Sequence, residues 1–212
     1  MKRLIFAGCL ALLPLHAQSA YRVAMTYDRE GLKVPHWQIA VNEKGDATYT
    51  GKPAQGADPG VISFSLSWMG REKLGTLLHQ THDLKPCETK SKGIANMGQK
   101  DVVYAAASGA EAHCSFNFTD NKPLSETTDY LIAIANTVQT GVELDRLHRY
   151  DRLGLDVVVR RLAADVKEHR AAEVGAIQST LQRLVEDEAL MERVRAKAQE
   201  LLTLAKSGAA TQ

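Results

Sequence analysis

Two cysteines, two neighbouring histidines and a run of interleaved arginines and aspartates are the residues whose types and spacing could do chemistry in this 212-residue chain. Cys87 and Cys114 stand about 27 residues apart. In an oxidising compartment two cysteines of one domain most often pair. Closing such a loop stabilises a fold by about 3–4 kcal/mol in the chain-entropy treatment, with strain subtracting. Two unpaired buried thiols are the plainer alternative, and a catalytic thiol a third, although no sequence feature marks either cysteine as activated. His79, His82 and Asp83 lie together, with Cys87 close by. On a helix, positions i and i+3 share a face, so both imidazoles could reach one metal ion. Two histidines are too few for a ligand set, and no His-Glu-x-x-His occurs. Imidazoles at a helix end also suit the negative end of its dipole. No metal ligand and no cofactor is assigned.

Asp145, His148, Asp151 and Asp156 form an acidic neighbourhood around one histidine, with Arg146, Arg149 and Arg152 between them. A pair such as Asp145–His148 is the form an acid–base couple takes. Nothing nearby supplies a nucleophile or a pocket, so the expectation is a salt-bridged helix surface. Lys90-Ser91-Lys92-Gly93 and Met97-Gly98-Gln99-Lys100 make a basic, glycine-containing loop that could cradle an anion. It lacks the G-x-x-x-x-G-K-[ST] order of a phosphate loop. No G-x-S-x-G elbow is present. Asn117-Phe118-Thr119 matches a glycosylation sequon, which matters only in a eukaryotic secretory pathway. No catalytic residue is assigned.

The elements that must position these residues change character midway. Residues 21 to about 120 read as strands: Tyr21–Tyr27, Trp37–Val41, Ala47–Thr50, Val61–Leu66, Val102–Ala105 and His113–Phe118, several with period-two alternation. Lys44-Gly45-Asp46 supplies a hairpin turn, and Gly51–Gly60 a loop. Ser67 is placed to cap a helix from Trp68 to about Thr81, with Leu74, Leu77 and Leu78 as its buried stripe. From Ser125 onward the 3.6 period takes over. Ser125 or Thr127 would cap a helix whose face carries Leu131, Ile134, Val138 and Val142. Three more follow, on Leu155–Val166, Val174–Leu184 and Leu190–Ala205. The expected fold is α+β: an antiparallel sheet with one packed helix, then a C-terminal bundle of about four helices. The expected organisation is a signal peptide over 1–19, a β-rich module over 20–120, a helical module over 125–207 and a flexible tail over 208–212.

The leader is expected from Lys2 and Arg3 ahead of an apolar run to Leu15, closed by His16-Ala17-Gln18-Ser19-Ala20. Cleavage after Ser19 leaves the small residues Ala17 and Ser19 at −3 and −1. The apolar run is too short to cross the hydrocarbon, which needs about 20 residues. Phe6-Ala7-Gly8-Cys9 has the look of a lipidation box, but too few residues separate Arg3 from Cys9 to form an apolar region ahead of it. The whole chain has 26 basic and 25 acidic residues. Without Lys2 and Arg3 it stays close to neutral, and the basic excess of a nucleic-acid binder is absent.

Residues 174–205 resemble a single HEAT-type helical hairpin, on Ile177, Leu181 and Leu184, then Asp187 at the turn, then Val194-Arg195, Ala198 and Leu201-Leu202. Repeats of that family stack into protein-binding solenoids, and one unit cannot make a solenoid. These readings lead to an exported, soluble protein, periplasmic or secreted. Its expected role is non-catalytic: binding another envelope or secreted protein, or a structural part in the envelope. No nucleic-acid partner and no integral membrane segment after cleavage are expected. The rivals are a small hydrolase or metal-dependent enzyme, and an inhibitor of a secreted enzyme.

Overall fold

The computed structural model describes residues 21–55, 58–82, 84–87, 95, 97–105 and 110–207. The leader, Cys9, Asp83, the Lys90–Gly93 stretch and the 208–212 tail lie outside the described residues. Strands β1 (Tyr21–Asp28), β2 (His36–Asn42), β3 (Asp46–Lys52) and β4 (Ile62–Ser65) precede helix α1 (Trp68–Gln80). Then come β5 (Gln99–Ala105), β6 (Glu111–Phe116) and the 29-residue helix α2 (Lys122–Tyr150). A 3-10 turn at Arg152–Gly154 leads into α3 (Leu155–Lys167), and another at Val174–Ile177 leads into α4 (Gln178–Glu186). Helix α5 (Glu192–Ser207) follows. The strands form one antiparallel six-stranded sheet in the order β4-β3-β2-β1-β5-β6. The chain is thus α+β, with most of its helix after the sheet.

Local chemistry explains the hairpins. Between β2 and β3 the Asn42 side chain accepts from the backbone N–H of Lys44 and of Asp46, each at 2.9 Å. Gly45 takes φ +87°, a conformation that favours glycine. Period-two alternation turns Val23, Met25 and Tyr27, Trp37, Ile39 and Val41, and Ala47 and Tyr49 to one face. That face packs on Leu74, Leu77 and Leu78 of α1 and on Leu124, Leu131 and Ile134 of α2. A second core gathers Leu144 and Leu147 of α2 with Leu155, Val159 and Leu162 of α3 and Leu181, Val194 and Leu201 beyond.

Helix α2 therefore serves both cores, which explains two departures from its sequence reading. Its buried set is wider than one stripe, because the sheet lies against its first half and the later helices against its end. Gly141, Leu144 and Leu147 are buried where Val142 is only half-buried. At Gly141 a Cβ would strike Ile177, so this close approach requires glycine. The helix also begins earlier than expected. Asn121, not Ser125 or Thr127, is the cap, accepting from the Leu124 N–H at 3.3 Å. Pro123, which lacks an N–H and has a helix-compatible φ, fits the first turn that this start creates. Thr127 and Thr128 instead donate back to the carbonyls of Pro123 and Ser125. The hairpin over 174–205 is α4 and α5, which pack on each other and on α2 and α3 of the same chain.

Candidate functional site

Cys87 and Cys114 sit at disulfide distance, with Cα atoms 5.5 Å apart. Cys114 points into the core from β6, and Cys87 follows the exit of α1. Asn121, the cap of α2, also donates to the Pro86 carbonyl at 3.3 Å, so the segment before Cys87 is held from two sides.

The two histidines do not share a helix face. Helix α1 ends at Gln80, and His82 has φ +46°, outside any helix. Both are exposed. Among the described residues no group of three or more His, Cys, Asp or Glu side chains is arranged to hold a metal ion.

Asp145 and His148 are likewise not a couple. Asp145 accepts from Arg183 at 2.6 Å and Thr180 at 3.2 Å, both on α4. His148 Nε2 meets Asp187 Oδ2 at 2.8 Å, and Arg152 reaches the same carboxylate at 3.2 Å. The His148 bond, then the Ala189 N–H, hold the Asp187 carboxyl below the usual carboxylate range. Asp151 caps the 3-10 turn through the Gly154 N–H at 3.3 Å. Asp156 pairs with Arg160 at 2.9 Å and Arg193 at 3.3 Å. This is a structural ion-pair surface.

Lys100 departs furthest from its sequence reading. It belongs to β5 and turns inward at 7% exposure, with Nζ 5.5 Å from the rings of both Tyr27 and Phe116. The carbonyls of Gly98 and Asn117 accept from it at 3.2 and 3.1 Å. Burial pushes its pKa down. It is part of the core wall and is not available to an anion-binding loop.

Glu173 carried no sequence signal and is the most buried carboxylate among the described residues, 2% exposed at φ +55°. It accepts from the Ser67 N–H at 2.6 Å, the Ser67 hydroxyl at 3.1 Å and the Tyr130 hydroxyl at 3.1 Å. A Cβ at Gly70 would strike it. The next residue inward, Ala172, donates to the Ala133 carbonyl at 3.2 Å. Its partners are Ser67, ahead of α1, and Tyr130 of α2, so the carboxylate joins the start of α1 and α2 to the segment before α4.

Tyr49 and Tyr130 are both buried, and burial pushes both phenols well above their ordinary range, with Glu173 adding to the effect at Tyr130. A phenol raised in the folded state contributes stability that is present below the unfolded pKa of 10.0 and is lost as pH rises past it. Urea melts across alkaline pH are expected to show stability falling above that value. The fall should be shallower in Tyr49→Phe, whose hydroxyl is wedged against Gly51 near Gln139. An unchanged slope in that variant would remove Tyr49 from the account.

Three surface features remain. The sheet face away from the helices carries Ala24 and Thr26 on β1, Gln38 and Ala40 on β2, Thr48 and Thr50 on β3 and Val103 on β5, in register across the strands. Asp101 on β5, the cross-strand partner of Thr26, lies on the same face, with His113 Nε2 of β6 3.9 Å from its carboxylate. At one end of the sheet lies an open cleft of about 600 Å³ lined by Asp28, Arg29, Glu30, His36, Gln99 and Asn117. His36 Nδ1 and Asp28 Oδ1 are hydrogen-bonded there, both substantially exposed. At the α2–α3 corner, Tyr150, Leu153 and Val157 are 78%, 80% and 60% exposed.

The chain matches no family model, no curated protein and no solved structure.

Proposed function

We propose that this is an exported, non-catalytic protein that binds another envelope or secreted protein through the open face of its sheet. The observation that carries the reading is that face itself. Exposed antiparallel faces ordinarily alternate with polar and charged side chains, whereas the cores of protein interfaces are depleted of charge. Ala24, Ala40, Thr26, Thr48 and Thr50 make a small-residue patch without charge across β1, β2 and β3, bordered on β5 by Asp101. Export is supported by the Lys2–Ala20 pattern and by a cysteine pair at bonding distance.

A photo-crosslinking residue at Gln38 or Thr50 in living cells should yield one protein adduct that is absent when the probe sits at Glu72 on α1. The purified adduct partner should bind the chain directly and lose at least about tenfold in affinity to Thr50→Arg, which places a charge in the patch. Identical adducts from all three positions, or a partner indifferent to Thr50→Arg, would overturn the reading.

The hydrogen-bonded His36–Asp28 pair in the cleft favours a second reading, a small hydrolase, with His36 in the place sequence reasoning gave to His148. A panel of ester and peptide substrates tests it: turnover abolished by His36→Ala would establish it, and His36-independent turnover would exclude it.

A further inference from the structure

The ridge from the end of α2 into α3 combines apolar and charged side chains in a way the sheet face does not. Its carboxylates are all engaged. Glu143 takes Lys33 at 2.8 Å and Arg161 at 2.5 Å, Asp145 takes Arg183, Asp151 caps a turn, and Asp156 takes Arg160 and Arg193. Two cations are left over. Arg146 and Arg149 are exposed on α2 and make no hydrogen bond or ion pair with any described residue. On α2 Arg146 lies one turn before both Arg149 and Tyr150, and past the break at Asp151 Leu153 lies about one helical turn before Val157. The Arg161–Glu143 pair sets the outer face of α3 alongside that of α2. The result is one ridge with three protruding apolar side chains and two arginines that meet no described carboxylate, near Asp151, whose carboxyl accepts only a backbone N–H.

We propose that this corner docks onto the surface of an anionic phospholipid bilayer. The charge calls for an anionic partner, and a guanidinium binds phosphate oxygens through two parallel N–H bonds. The apolar residues decide which kind of partner. At 60–80% exposure they stand clear of their own chain, so they form a knuckle and not the wall of a groove. A protein would have to bring the pocket that receives them. A bilayer needs none, because side chains of this kind sink into the boundary between headgroups and acyl chains. A second copy of the chain is disfavoured, since a two-fold contact centred here would set arginines against arginines. The docking is peripheral and independent of the sheet face, which stays open to a partner.

The test uses protein recovered from its native compartment, its N-terminus read by intact mass, and vesicles of phosphatidylcholine with or without an equal part of phosphatidylglycerol. The chain should cosediment with the anionic vesicles, weakly or not at all with the neutral ones, and less as salt is raised. Leu153→Ser/Val157→Ser and, separately, Arg146→Gln/Arg149→Gln should each weaken binding at least about tenfold. All four side chains are exposed, so melting temperatures should not change. Tyr150→Trp should show a blue-shifted emission on anionic vesicles only. Failure to cosediment at low salt would overturn the proposal. So would vesicle binding indifferent to Leu153→Ser/Val157→Ser, which would place the contact elsewhere, or a dimer in solution that dissociates in that variant. Equal affinity for soluble polyglutamate, lost with the arginines but not with Leu153, would overturn it in favour of an acidic protein partner. None of these outcomes bears on adducts formed from the sheet face.

Discussion

Glu173→Ala is expected to destabilise the chain by about 3–4 kcal/mol, read as a lower urea midpoint at an unchanged m-value. The carboxylate accepts from the Ser67 N–H, the Ser67 hydroxyl and the Tyr130 hydroxyl at 2.6–3.1 Å. Truncation leaves the first and last of these donors unpaired in the interior, each costing about 1–3 kcal/mol. The Ser67 hydroxyl keeps its own role, accepting from the Gly70 N–H at 3.0 Å. Removing a buried acidic group returns part of the cost, and alanine inherits the left-handed backbone at φ +55° without relief. Glu173→Gln preserves the shape and one acceptor, and should cost about half as much. Gly70→Ala should be severely destabilising, because its methyl would strike the carboxylate. In the double variant the methyl is relieved of the carboxylate but still meets the Tyr130 hydroxyl, so the combined loss should fall short of the sum of the two single losses without returning to that of Glu173→Ala alone. A loss under about 1 kcal/mol for Glu173→Ala would show that the joint is incidental.

Replacing both Cys87 and Cys114 by alanine is expected to cost about 3–4 kcal/mol if the pair is closed in the native protein. The figure follows from a separation of 27 residues, whose ends the unfolded chain would otherwise explore freely. The two sites should respond differently to serine. Cys87 is exposed and should tolerate a hydroxyl, whereas Cys114 at 1% exposure would bury one in the core. Cys114→Ser should therefore be worse than Cys87→Ser beyond the shared loss of the crosslink. Loosening should concentrate at the α1 exit and β6, and would show as faster amide exchange at Leu84 and at Phe116. Intact mass before and after reduction checks the premise. Alkylation of both cysteines without reduction, or an Ala/Ala variant with the parental urea midpoint, would remove the crosslink from the account of stability.

Much of the scaffold was legible because strand and helix periods are properties of a few adjacent residues. Trp37, Ile39 and Val41 alternate whatever lies around them, and Leu74, Leu77 and Leu78 form a stripe on any helix. The Asn42–Gly45 turn is equally local. The start of α2 was harder, because Thr119, Asn121, Ser125 and Thr127 all have capping side chains within nine residues. The choice among them falls to Pro123, which fits a first turn, and to the position of Asn121 over the Pro86 carbonyl.

The pairing of side chains was a matter for tertiary structure. His148 has a carboxylate three residues away, yet it bonds to Asp187, because Arg183 of α4 already holds Asp145. Lys100 reads as part of a polar loop, since nothing local announces that two aromatic rings and two carbonyls will meet around its ammonium group. Glu173 follows two alanines and matches no pattern, and it gains its partners only when α1, α2 and the segment before α4 converge. By itself the sequence determined where strands and helices run, which faces are apolar, and which two cysteines were candidates to pair. Only the folded chain decided which charges meet, which cation is buried and which arginines meet no carboxylate among the described residues. Backbone periodicity acts over a few residues, whereas hydrogen bonds and ion pairs go to whichever partner the fold brings within about 3 Å.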